Sequence, residues 1–103
     1  MTFQATRVSE ENEYTVVNVA DNTTTVFTGP CILNGVYVNT VLSAHACPIK
    51  DGTVAVASLV ASAAVGTSIK YPGIRLNTSL IVDPDDAATG SITVAWRRVV
   101  PNQ

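Results

Sequence analysis

The chain has 103 residues, 47% of them hydrophobic and 14% charged, with a formal net charge of −2. That length suits one domain and leaves none for a second; the apolar content excludes a disordered chain, and the missing basic excess argues against a nucleic-acid binder that works by bulk electrostatics. No apolar run approaches the roughly 18–20 residues that a membrane-spanning helix needs.

Sixteen Val and thirteen Thr dominate, against five Leu, two Lys and three Glu. β-Branched side chains are stiff at χ1 and fit a pleated surface, whereas Leu, Lys and Glu are the usual fillers of helices. The balance predicts an all-β domain. A core of this size buries only about 60–65% of the unfolded surface, so a partner subunit would add what it lacks.

Residues 1–13 read as a polar N-terminal arm, ahead of a single domain over 14–103. Residues 14–19 form a first strand, and Asp21-Asn22 a turn. Residues 23–28 form a second strand, broken by Gly29-Pro30. Residues 31–41 are the most apolar stretch, and Gly35 inside it signals a bulge or a close backbone approach. Past that glycine, Val36, Val38 and Thr40 share one face, and Tyr37, Asn39 and Val41 the other. Residues 44–49 read as a short strand whose Pro48 places it at a sheet edge. Asp51-Gly52 predicts a type I′ hairpin. Residues 54–60 return as a strand, and residues 61–64 permit a helical turn before Gly66. A strand over 68–71 is followed by a turn at Pro72-Gly73. Ile74, Leu76, Leu80 and Ile81 frame the next strands, which end in a turn over 83–86. Residues 91–100 close the pattern, with Ile92, Val94 and Trp96 on one face and Thr93, Ala95 and Arg97 on the other. About eight short strands with regular turn signals predict an antiparallel β-sandwich, jelly-roll-like.

Chemistry is sparse. Cys31 and Cys47 allow one bridge; the N-terminus lacks a basic segment followed by an apolar core, so no signal peptide is expected and reduced, buried thiols are. His45 is the sole histidine. Ser43 lies two residues before it, but no orienting acid or Gly-x-Ser-x-Gly elbow accompanies the pair, and a structural role is expected. Cys31, Cys47 and His45 lack the close cysteine pair of a zinc site. Asp83, Asp85 and Asp86 are the one acidic cluster that offers a hard cation its oxygens; Pro84 and the Ala87-Ala88-Thr89 run break the loop pattern, and a solvated turn is the expectation. Asn22-Thr23-Thr24 and Asn77-Thr78-Ser79 match the glycosylation sequon by chance in a Thr-rich chain. Trp96, Tyr37 and Tyr71 are aromatics on which a sugar would stack, although Trp96 falls on the apolar face of its strand. Neither a phosphate loop nor a dinucleotide fingerprint is present. No enzyme and no cofactor are expected.

Four segments between residues 29 and 96 carry a resemblance: Gly35-Val36-Tyr37-Val38-Asn39, Leu42-Ser43-Ala44-His45, Ile49-Lys50-Asp51-Gly52, and the run from Ser79 to Gly90 that continues into Ile92-Thr93-Val94. This part of the chain resembles small structural proteins of tailed bacteriophages. The resemblance implies a β-sandwich on the virion, a capsid decoration or cement protein. It would bind the major capsid protein as a homotrimer, on the capsid surface, after synthesis in the bacterial cytoplasm. Nucleic acid and membrane are not expected partners. Phe3, Arg7 and Arg97 are the candidate interface residues. A phage fibre, tail or receptor-binding module is the alternative reading, and a stand-alone cytosolic β-sandwich binding domain a second alternative.

Overall fold

Eight β-branched segments become eight strands. The computed structural model describes residues 12–21, 23–45, 47–84 and 87–99. Within them run β1 (Glu13–Asn18), β2 (Thr24–Thr28), β3 (Cys31–Thr40), β4 (Cys47–Asp51), β5 (Val54–Leu59), β6 (Ser68–Leu76), β7 (Ser79–Val82) and β8 (Ser91–Arg98). One 3₁₀ turn, Val19–Asp21, follows β1, and its Ala20 N–H is satisfied by the Asn18 side chain at 3.0 Å. Among the described residues no helix is long and apolar enough to cross a membrane. Residues 1–11 of the polar arm, with Phe3 and Arg7, lie outside the described residues, while Glu13 at its end belongs to β1.

The pairing follows from one nested ribbon. β4 turns tightly into β5, and outward from that turn β3 pairs β6, β2 pairs β7 and β1 pairs β8, all antiparallel. Rolling this ribbon brings β8 beside β3 and β7 beside β4. Two four-stranded sheets result, in the orders β1-β8-β3-β6 and β2-β7-β4-β5. This is the jelly-roll arrangement of two Greek keys.

The core lies between the sheets. Strict alternation turns Ile92, Val94 and Trp96 of β8 inward. β4 contributes Cys47 and Ile49, and β7 contributes Leu80 and Val82. β3 obeys a broken alternation: Cys31 and Leu33 are buried, then Val36 and Val38. A register shift between Leu33 and Gly35 against both neighbouring strands supplies the extra residue that reverses the parity. Each fully buried Leu, Ile or Val contributes roughly 1.5–3 kcal/mol of transfer free energy, most of it offset by chain entropy.

Several local expectations change. Pro48 is on an interior strand, because β4 lies between β7 and β5. Its carbonyl accepts the Asp83 N–H at 3.0 Å. Opposite Asp83, just past the end of β7, the proline gives up only the N–H that would have answered this bond. Pro72-Gly73 is no turn: both residues sit inside β6, at the register break against β3, and on an edge strand that tolerates a proline. The β4–β5 hairpin turns on Gly52-Thr53, one residue later than expected, with Asp51 opposite Val54. Gly52 has φ +63° and Thr53 does not share the positive φ, so the turn is not type I′. Residues 61–64 form no helical turn; Ser62 has φ +61° there and Ala63 enters the core. The fourth strand starts at Cys47, which leaves Ser43 and His45 on the preceding loop.

Gly35 is the tightest point of the fold. A Cβ there would stand 2.7 Å from the Ile69 carbonyl oxygen, inside van der Waals contact with backbone that cannot rotate away. Gly35→Ala is therefore expected to destabilise the protein by about 1–3 kcal/mol, the usual cost of overpacking, as measured by urea denaturation. An unchanged midpoint would show that β6 moves aside freely.

Candidate functional site

Antiparallel register assembles the outer face of the β1-β8-β3-β6 sheet in rows. One row reads Val16, Thr93, Tyr37 and Ser68 across β1, β8, β3 and β6. The next reads Tyr14, Ala95, Gly35 and Lys70. The two middle members of that second row carry no side chain beyond a Cβ. A hollow of about 430 Å³ opens above them, bordered by Tyr14, Tyr37, Lys70, Thr93, Asn34 and Asn12.

The rim is polar and aromatic. Tyr14 is 68% exposed and Tyr37 46%, so both rings remain available. The Asn34 amide donates to the Asn12 side-chain oxygen at 2.6 Å, and the Asn39 amide donates to the Thr93 hydroxyl at 2.8 Å. Among the described residues, Lys70 is the sole charged residue of the lining. Tyr71 borders the hollow but packs against the core, where burial pushes its hydroxyl above the usual phenol range.

The third aromatic named from the sequence goes elsewhere. Trp96 is 4% exposed, its indole N–H donates to the Thr15 hydroxyl at 3.0 Å, and its ring lies 4.8 Å from that of Phe27. The Arg98 guanidinium covers both rings and pairs with Glu13 at 2.7 Å, closing the gap between the sheets. Arg97 stands opposite Ile32 on the outer face, and its Nε is buried with no hydrogen-bond partner among the described residues.

The acidic candidates separate. Asp83 is tied into the fold: its carboxylate accepts from Lys50 Nζ at 2.6 Å and from the Thr23 hydroxyl at 2.7 Å. Asp85 and Asp86 lie outside the described residues. Among the described residues, no group of three or more His, Cys, Asp or Glu side chains is placed to hold a metal ion. Cys31 and Cys47 are buried in the core and form no disulfide; burial is the main cause that pushes each thiol up to about 11. Ser43 accepts the Thr89 N–H at 3.0 Å through its hydroxyl oxygen, a loop-fastening contact. Asp51, unremarked in the sequence except as a turn residue, accepts backbone N–H groups of Asn77, Thr78 and Ser79 at 3.0, 2.8 and 3.3 Å.

Sequence reasoning named Tyr37 and missed Tyr14, Ala95 and Lys70 as its neighbours. The signal for Tyr14 was its alternation with the buried positions of β1. Nothing in residue type marked Ala95 or Lys70. The chain matches no protein-family model, no curated protein and no solved structure.

Asp51 and Asp83 are expected to make stability fall in acid. The backbone bonds hold Asp51 below the usual carboxylate range, and the Lys50 contact, followed by the Thr23 hydroxyl, does the same for Asp83. A carboxylate with a depressed folded pKa stabilises above its unfolded pKa of about 3.9, and that contribution is lost as pH falls through the folded value. Thermal denaturation is therefore expected to show a steep loss of Tm below about pH 4, flattened in Asp51→Ala. An acid limb identical in wild type and variant would exclude Asp51 as its source. The thiols titrate oppositely: they resist a thiol-specific reagent in the native protein, and both react in denaturant.

Proposed function

We propose that this protein is a non-enzymatic virion structural protein of a tailed bacteriophage, a capsid decoration protein that binds and stabilises the lattice of the major capsid protein. The single observation that carries this reading is the end of the sandwich where β3 leads to β4 and β5 to β6. Val41, Val60 and Val65 on those loops are 53–65% exposed. The loops, residues 41–46 and 60–67, contain no Asp, Glu, Lys or Arg. Backbone bonds from Leu42 N–H to Ala63 O at 3.0 Å and from Ser62 N–H to Ser43 O at 2.8 Å fasten the two together. Exposed apolar residues without charge are the composition of a protein-contact surface. The resemblance to phage structural proteins names the partner, and viral capsid domains use the same jelly-roll architecture, an analogy of fold alone.

The mechanism is mass action. A protein that binds only the assembled lattice stabilises it by its binding free energy, and repetition over many sites multiplies weak contacts. A homotrimer would cover further apolar surface that a single small core leaves exposed. Quantitative proteomics of purified virions is the test. The expected result is a copy number comparable to that of the major capsid protein or its local three-folds. Val60→Lys with Val65→Lys is expected to abolish rebinding to stripped capsids and to leave Tm unchanged, since both positions are exposed. Absence from virions, or a few copies per particle, would overturn the reading.

A few copies would favour the second reading, a fibre, tail or receptor-binding module. The Tyr14–Tyr37 hollow is the observation that favours it.

A further inference from the structure

We infer that the hollow on the outer face of the β1-β8-β3-β6 sheet is a binding site for a saccharide unit bearing a carboxylate. The site does not depend on which part of a virion carries the chain.

Size and shape come first. About 430 Å³ falls within the range of small-molecule sites. Gly35 and Ala95 form the floor, and the side chains at either end of their row, Tyr14 and Lys70, stand above it. The floor belongs to the two middle strands of a four-stranded sheet, so the site is built on rigid elements.

The chemistry of the rim then selects the ligand. A pyranose presents C–H groups on its faces and hydroxyls around its edge. The face needs an aromatic ring to pack against, and Tyr14 and Tyr37 offer two that are fixed at low entropic cost. The edge needs groups that both donate and accept, and the amides of Asn12 and Asn34 and the hydroxyls of Thr93 and Ser68 surround the same space. Among the described residues Lys70 supplies the one charge, and no carboxylate of theirs lines the hollow to neutralise it. A negative group on the ligand fills that role. A nucleic acid does not, because one lysine in a chain of net charge −2 neutralises too few phosphates. An apolar peptide does not, because amides and hydroxyls in the rim would lose their water without replacement.

The test uses methyl β-D-glucuronide and the methyl glycoside of N-acetylneuraminic acid, with methyl β-D-glucoside as the neutral control. Each is titrated into the isotope-labelled full chain and followed by the amide resonances of Gly35 and Ala95. Saturable shifts with a Kd of about 1 mM or tighter are expected for at least one acidic sugar, and binding about tenfold weaker or more for the neutral one. Ala95→Leu fills the floor and is expected to abolish the shifts. Lys70→Gln, at an exposed position that any folded variant tolerates, is expected to weaken acidic-sugar binding about tenfold and leave the neutral control unchanged. No saturable shift with either acidic sugar, equal binding of the neutral one, or shifts that survive both substitutions would overturn the assignment.

Discussion

The extra residue at Asn34–Gly35 decides what faces inward and what faces outward. Unbroken alternation from Cys31 and Leu33 would send Val36 and Val38 to solvent and Tyr37 into the core. The bulge keeps both valines buried and Tyr37 exposed, which avoids a loss of roughly 1.5–3 kcal/mol for each apolar side chain misplaced. β3 carries this weight because it pairs with β8 on one side and β6 on the other. β6 answers with its own irregularity at Pro72-Gly73, where the register against β3 skips from Ile74 to Lys70. Glycine is required at the crossing because the Ile69 carbonyl occupies the space of a Cβ. The same missing side chain leaves the floor of the hollow bare. Core filling and surface relief are two consequences of one insertion.

The two ends of the sandwich are held by different means. At the hairpin end, Asp51 binds the N–H groups of the β6–β7 turn, which crosses from one sheet to the other. Those donors would otherwise face solvent or remain unpaired. Toward the loop end, Lys50, Asp83 and Thr23 join β4 to the chain flanking β7 and β2. Each ion pair at such exposure is worth little; the gain lies in fixing where the strands end. At the loop end, backbone groups bond one another, and Ser43 N–H adds Thr89 O at 3.1 Å to the contacts between loops. Loops fastened through their backbones release their side chains, and the valines there point outward at no cost to the fold.

Period-two patterns were legible wherever one strand carried them unbroken. β8 is the clearest case, since Ile92, Val94 and Trp96 alternate with polar or small residues. Gly35 announced the bulge. Proline and glycine elsewhere were ambiguous for a physical reason. Pro-Gly has the same chemistry in a turn and in a strand bulge, and only the pairing of β3 with β6 distinguishes them. Pro48 depends on which side of β4 its nitrogen faces, which no local pattern contains. The hollow was less legible still. Tyr14 and Ala95 are opposite one another through the β1–β8 pairing, and their separation in sequence spans most of the domain. Fold class resides in short-range periodicity, whereas this site resides in long-range register.

A jelly roll supports many functions, so the surface must decide between them. Tyr14 lies four residues from the loop-proximal end of β1, about 13 Å at the rise of a strand. The proposed attachment through the valine loops therefore leaves the Tyr14 end of the hollow uncovered on the flank of the sandwich, whereas its Tyr37 end adjoins Gly66 and Ser68 beside those loops. The proposed trimer is more constraining. β1 is an edge strand with Tyr14 and Val16 exposed, and an edge is a template for pairing with another chain. A trimer joined through β1 would cover Tyr14 and close the hollow. A trimer joined through β6 beyond Lys70, or through the β2-β7-β4-β5 sheet, would leave it open. The proposed saccharide site and the proposed trimer coexist only in the second arrangement, so the position of β1 in the assembly links what the protein binds to how it assembles.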